Sequence, residues 1–97
     1  MQQFGDYIRD LRFEKRLSQV ELASLAKIDP PYLSKIEHGK ESTPSEELLI
    51  RLANALNQDP YFMIIKAGKV PSDFKEIILQ DEQAFNYLHR KALKNRR

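Results

Sequence analysis

Ser18-Gln19-Val20-Glu21-Leu22-Ala23-Ser24-Leu25-Ala26-Lys27-Ile28-Asp29-Pro30-Pro31-Tyr32-Leu33-Ser34-Lys35-Ile36-Glu37-His38-Gly39 contains two helix starts and a helix stop. Ser18 and Glu21 have the spacing of a capping box, in which the Ser hydroxyl accepts from the Glu amide while the Glu carboxylate reaches back. The helix that starts there has room for about eight residues, 19–26, with Leu22, Ala23, Leu25 and Ala26 on its inner face. Asp29-Pro30-Pro31 opens the next one. Asp is a strong N-cap, and Pro in a first turn removes only amides that have no intrahelical partner. That helix runs from Pro30 to His38, buries Leu33 and Ile36, and stops at Gly39. Two short helices meeting near a right angle need a small residue where their backbones approach, and Ala23 is placed for it. Ile28, Leu33 and Ile36 supply the apolar contacts that lock one helix to the other.

Helical signals continue on both sides. Phe4, Ile8, Leu11 and Lys15 follow helical spacing, with Asp6, Arg9, Asp10 and Arg12 opposite, so a first helix is predicted over 3–15. Thr43-Pro44-Ser45-Glu46 repeats the start logic, with Thr43 as cap and Pro in the first turn. Leu49, Leu52, Ala53 and Leu56 then give an amphipathic fourth helix. Asp59-Pro60 opens a fifth, Tyr61 to Ala67, closed by Gly68. The expected core is Ile8, Leu11, Leu22, Ala23, Leu33, Ile36, Leu49, Leu52 and Leu56. Beyond Gly68, Pro71-Ser72 restarts the chain, and residues 69–94 read as one or two helices with a break near Asp81. The basic end, Lys94 to Arg97, is expected to fray and either to trail toward flanking DNA or to stay solvated, the latter being favoured. Strand alternation never persists, and no internal repeat or low-complexity segment occurs. The fold class is all-α.

The 97 residues amount to one modest core, since a chain of this size buries roughly 60–65% of its unfolded surface. With 41% apolar and 31% charged residues the composition is that of a globular protein. Cysteine is absent, which excludes disulfides and thiolate metal sites. No apolar run approaches the roughly 18–20 residues that cross a bilayer, so no membrane is implied. The charged N-terminus does not read as a signal peptide, and a cytoplasmic protein is expected. A net charge of +2 argues for nothing by itself. Residues 1–50 hold seven Lys/Arg against nine Asp/Glu, whereas 89–97 hold five Lys/Arg and no acid. An enzyme finds no support: there is no Gly-rich phosphate loop, no paired metal-binding His motif and no Cys nucleophile. His89 lacks a second ligand at metal spacing, so neither metal nor cofactor is implied.

Counted from Gln19 as position 1, Ala23, Ile28, Leu33 and Ile36 occupy positions 5, 10, 15 and 18 of a twenty-residue unit, the arithmetic of a helix-turn-helix. Four further stretches sharpen this: Phe4-Gly5-x-x-Ile8-Arg9-x-Leu11-Arg12, Leu17-Ser18-Gln19-x-x-Leu22-Ala23, Tyr32-Leu33-Ser34-x-Ile36-Glu37-x-Gly39-Lys40 and Leu52-Ala53-x-Ala55-Leu56. Together they resemble the Xre/Cro–CI-like helix-turn-helix family over residues 3–67. The resemblance implies a five-helix, lambda-repressor-like DNA-binding domain, here residues 1–68, followed by a C-terminal helical extension, 69–97. It implies double-stranded DNA as partner, with the third helix in the major groove and phosphates held at neighbouring helix N-termini. Phage repressors, restriction–modification controllers and antitoxins belong to the family.

Two departures bear on the site. The turn position usually held by Gly is Lys27, and the first two positions of the recognition helix are Pro30 and Pro31, which cannot donate to a base edge. Readout therefore shifts to apolar contacts with thymine methyls or to Tyr32, Ser34, Lys35 and His38. Lys35 suits guanine O6/N7 or a phosphate. Tyr32 either stacks along the backbone or packs in the domain, and His38 either touches DNA or favours the helix C-terminus. Gln19, Lys40, Ser42 and Thr43 are placed to hold phosphates. Glu37, repelled by phosphate, is expected in a structural ion pair. One recognition helix covers too few base pairs to find a site, so a homodimer on a palindromic operator is expected, as repressor or autoregulator. Tyr61, Phe62, Phe74, Ile77, Ile78, Phe85 and Leu88 are assigned to its interface. The alternative is an antitoxin-type module whose C-terminal segment binds a toxin or another protein.

Overall fold

The computed structural model describes residues 3–40 and 43–96, which form seven helices with no strand among them. They are α1 (Phe4–Glu14), α2 (Gln19–Ala26), α3 (Pro30–Glu37), α4 (Glu46–Ala55), α5 (Pro60–Lys66), α6 (Ser72–Gln80) and α7 (Glu82–Asn95). None is long and apolar enough to cross a membrane. α2 packs on α3 and α4, α1 on α3, and α4 on α5. The nine residues expected in the core are all buried in one cluster, which Ala26, Leu48, Ala53, Met63 and Ile64 complete.

Local chemistry explains the boundaries. Ser18 Oγ accepts from the Glu21 amide at 3.0 Å while Glu21 Oε1 accepts from the Ser18 amide at 2.8 Å, so the capping box closes as its spacing implied. Asp29 caps α3 and Asp59 caps α5, each with Pro in the first turn. The fourth helix starts two residues later than a Thr43 cap would place it. Ser45, extended at φ −64° and ψ 158°, is the cap and accepts from Leu48 N at 3.2 Å. Pro44, buried beside Phe4, Gly5 and Ile36, belongs to the approach and not to the first turn.

The five N-terminal helices end alike. Arg16, Lys27, Gly39, Asn57 and Gly68 are left-handed. After each, the next amide bonds back across the turn, as Ile28 N does to Ala23 O at 3.0 Å and Lys40 N to Lys35 O at 2.9 Å. Lys27 adopts the positive φ, 60°, that its place in the turn demands. Gly5 has a different reason. A Cβ there would sit 2.6 Å from the Ile36 carbonyl oxygen and closer still to that of Glu37, so only glycine lets α1 meet the end of α3.

The chain does break at Asp81, whose extended backbone ends α6 and whose carboxylate accepts from the Gln83 and Ala84 amides to start α7. The helix persists further into the basic end than expected: α7 continues through Asn95, Arg96 is extended, and Arg97 lies outside the described residues. No Gly or Pro interrupts 82–95, its Ala, Leu, Lys and Arg favour helix, and Lys94 complements the C-terminal dipole. α6 and α7 pack on each other and bury no residue completely.

Candidate nucleic-acid interface

α3 divides cleanly around its axis. Leu33, Ile36 and Glu37 are buried, and the i, i+3, i+4, i+7 set Pro31, Ser34, Lys35 and His38 forms the outer face. Pro31, Lys35 and His38 are exposed, and Ser34 is half-buried among them. Pro30 and Tyr32 flank the stripe, with Tyr32 packed against the core cluster. His38 is the C-cap. Its Nδ1 lies 2.7 Å from the Ser34 carbonyl oxygen, to which it donates, and this leaves Nε2 as the ring atom available outward.

The inner side of α3 is held by charge. Glu37 is 2% exposed, and Arg12 of α1 grips it from Nε at 2.7 Å and Nη2 at 3.0 Å. Arg12 Nη1 donates to the Leu17 carbonyl at 3.0 Å, and Gln19 Nε2 donates to Glu37 Oε1 at 3.1 Å. Among the described residues no buried side-chain polar atom lacks a partner. One carboxylate thus ties α3 to α1 and to the first residue of α2. Glu37 is the structural ion pair its acidity pointed to. Its partner Arg12, expected on the charged outer face of the first helix, is instead buried, because it pairs with a carboxylate 25 residues away in sequence. The network also turns the Gln19 amide inward, so what faces outward at α2 is the helix N-terminus.

Lys40 and Thr43 are exposed between α3 and α4, and Ser42 lies outside the described residues. A second group of expected site residues gathers elsewhere. Tyr61 of α5 stacks on Phe74 of α6, centroids 5.3 Å apart and planes within 9°, and its hydroxyl donates to Asp73 at 2.6 Å. That bond and the Asp73 charge raise the Tyr61 pKa above its ordinary value. Glu46 of α4 accepts from both the amide and the hydroxyl of Ser72 at 3.0 and 2.8 Å. These contacts, together with buried Pro71, fix where α6 leaves the five-helix core. Phe62 stays half-exposed beside Tyr7, and Ile77, Phe85 and Leu88 stay exposed, with Ile78 intermediate.

An amphipathic helix with an exposed stripe, held against its neighbours by the close Gly5 approach and a buried ion pair, suits a groove-reading element. Residues 8–62 match the helix-turn-helix family. The chain belongs to that family. It is a family of DNA-binding transcriptional regulators of the Cro/CI type, not of enzymes. The chain is 28% identical over 103 residues to the HTH-type transcriptional repressor RghR of Bacillus subtilis (strain 168), covering 98% of this chain and 76% of that protein. The restriction-modification controller protein C.AhdI from Aeromonas hydrophila superposes with a TM-score of 0.58 at 37% identity, over 62% of this chain and 89% of that one. The clp gene regulator ClgR from Corynebacterium glutamicum reaches a TM-score of 0.59 at 30% identity, over 90% and 83% respectively.

Proposed function

We propose that this helix-turn-helix protein is a sequence-specific repressor or autoregulator that binds a palindromic operator as a homodimer in the cytoplasm. Residues 1–68 form the DNA-binding domain and 69–97 the dimerisation extension. Lys35, Ser34 and His38 read base edges, while Pro31 offers apolar contact to a thymine methyl. Pro30 and Tyr32 border that contact. Gln19, through the helix N-terminus it opens, and Lys40, Ser42 and Thr43 hold phosphates on either side of the groove.

One observation carries the dimer. α6 and α7 are amphipathic yet bury nothing completely, with Ile77, Phe85 and Leu88 each about half exposed (48%, 48% and 47%). Helices of 9 and 14 residues are marginal alone in water and gain stability by covering an apolar face. A second copy covers it isologously and sets two recognition helices about 34 Å apart, one turn of duplex. The anchoring of α6 by Glu46 and Tyr61 makes that spacing rigid. Tyr61 and Phe74 contribute their outer edges, since their ring faces already meet within one chain, and Phe62 and Ile78 complete the rim.

Truncation after Gly68 tests this. The fragment, which retains the whole buried cluster, is expected to be folded, monomeric by light scattering at low micromolar concentration, and much weaker on DNA. A fragment that remains dimeric overturns the assignment of 69–97 to self-association and gives that face to another protein, as in an antitoxin.

A further inference from the structure

The charge of this chain is distributed against its function. Residues 1–88 hold 11 Lys/Arg and 14 Asp/Glu, so the body that must approach a polyanion is net −3. All compensation lies in 89–97, with five Lys/Arg and no acid. Because α7 is helical through Asn95, three of these cations have defined positions. Arg90, Lys91 and Lys94 join Tyr87 at i, i+3, i+4 and i+7, and the four side chains line one shallow depression. Lys91 Nζ sits 5.7 Å from the Tyr87 ring centroid, which holds one cation over an aromatic face. All four residues are exposed, and no acidic residue follows Glu82 to neutralise them within the helix. Phe85, Leu88 and Ala92, at i, i+3 and i+7, occupy a different side of α7. The helix therefore presents two surfaces, one apolar and one cationic.

We propose that Tyr87, Arg90, Lys91 and Lys94 form a second, sequence-independent DNA contact that grips phosphates flanking the operator. The inference rests on the DNA-binding assignment above and not on the dimer. Duplex DNA carries one charge per about 1.7 Å, and each phosphate neutralised by a Lys or Arg releases condensed counterions. The recognition face contributes few cations of its own, chiefly Lys35 and Lys40, within a body of the wrong sign. A row of cations on a rigid helix supplies the missing electrostatic attraction and reads no sequence. Phosphate contacts of this kind position a protein and leave specificity to base edges.

The test uses the full-length chain and a 40-base-pair mixed-sequence duplex, with affinity followed by fluorescence anisotropy across a salt series. The Arg90→Gln, Lys91→Gln, Lys94→Gln triple variant is expected to keep its circular dichroism and oligomeric state. It should flatten the log–log salt slope by about 2.7 per protomer, that is 0.9 for each of three contacts, and bind on the order of a hundredfold more weakly at 0.1 M salt. A Lys15→Gln, Lys69→Gln, Lys75→Gln variant removes equal charge elsewhere and should leave the slope nearly unchanged. Equal losses in the two variants reduce the effect to net charge and overturn the proposal. An unchanged slope in the α7 variant also overturns it and leaves that face to an acidic protein. Failure of the wild type to bind any duplex strikes the DNA-binding assignment itself.

Discussion

Replacing Glu37 by Ala strands a guanidinium in the interior. Arg12 is 7% exposed, and of its bonds to Glu37 and the Leu17 carbonyl only the last survives. Gln19 loses its acceptor as well. Breaking one side of a buried pair costs about 3–5 kcal/mol, because the remaining charge has neither water nor a counterion. A domain of this size has on the order of 5–15 kcal/mol in total, and each kcal/mol moves Tm by roughly 4–8 °C. The Glu37→Ala midpoint should therefore fall by about 12 °C or more. Arg12→Met combined with Glu37→Leu removes both charges and keeps the volume filled, so the double variant should return to within about 2 kcal/mol of wild type. The measurements are thermal and urea unfolding of wild type, Glu37→Ala, Arg12→Met, Glu37→Leu and the double, followed by far-UV circular dichroism. The double should nevertheless bind DNA less tightly, since the Gln19–Glu37 bond that ties α3 to the start of α2 is then lost. A double variant as unstable as the two singles summed would refute the reasoning.

Leu33 is fully buried, so Leu33→Ala should cost about 2–5 kcal/mol in the same unfolding assay, while a near-neutral result would contradict the placement of α3. Lys27 holds φ 60° at the exposed end of α2, and Lys27→Gly should raise stability by about 1 kcal/mol; a loss of that size would mean its side chain has an unrecognised partner. Lys40→Ala should weaken operator and mixed-sequence DNA alike, whereas Lys35→Ala should lower their ratio, and equal losses for both would remove Lys35 from base reading. The Tyr61 pKa is raised, so the protonated phenol is the form the fold favours. The α5–α6 contact should hold below the usual tyrosine range near 10 and be lost as pH climbs through the elevated value; a Tyr61 absorbance titration at or below 10 would contradict it.

What could be read from sequence was local. Ser18 with Glu21, Asp29 with Pro30, and Asp59 with Pro60 each place a cap within three residues of what it caps, so short-range chemistry alone fixed α2, α3 and α5. Apolar spacing then identified the core. Thr43 misled because Thr-Pro and Ser-Glu both satisfy start rules, and the choice of Ser45 depends on Pro44 finding a place beside Phe4 and Ile36, a tertiary matter. The long-range bonds were equally hidden. Arg12 meets Glu37 across 25 residues and Glu46 meets Ser72 across 26, and no periodicity encodes such pairs. The candidate recognition stripe was legible because helical spacing sorts Pro31, Ser34, Lys35 and His38 away from Leu33 and Ile36. The inward turn of Gln19 was not, since it depends on a carboxylate from another helix.

Hydroxyl-radical footprinting of a genomic fragment captured by the full-length protein tests most directly whether α3 reads an operator. Two protected patches on one face of the duplex, centred about 34 Å or 10–10.5 base pairs apart, are predicted, and Lys35→Ala should lose both. Capture of no fragment above the level of mixed-sequence DNA, or a footprint that Lys35→Ala, Ser34→Ala and His38→Ala all leave unchanged, would contradict it.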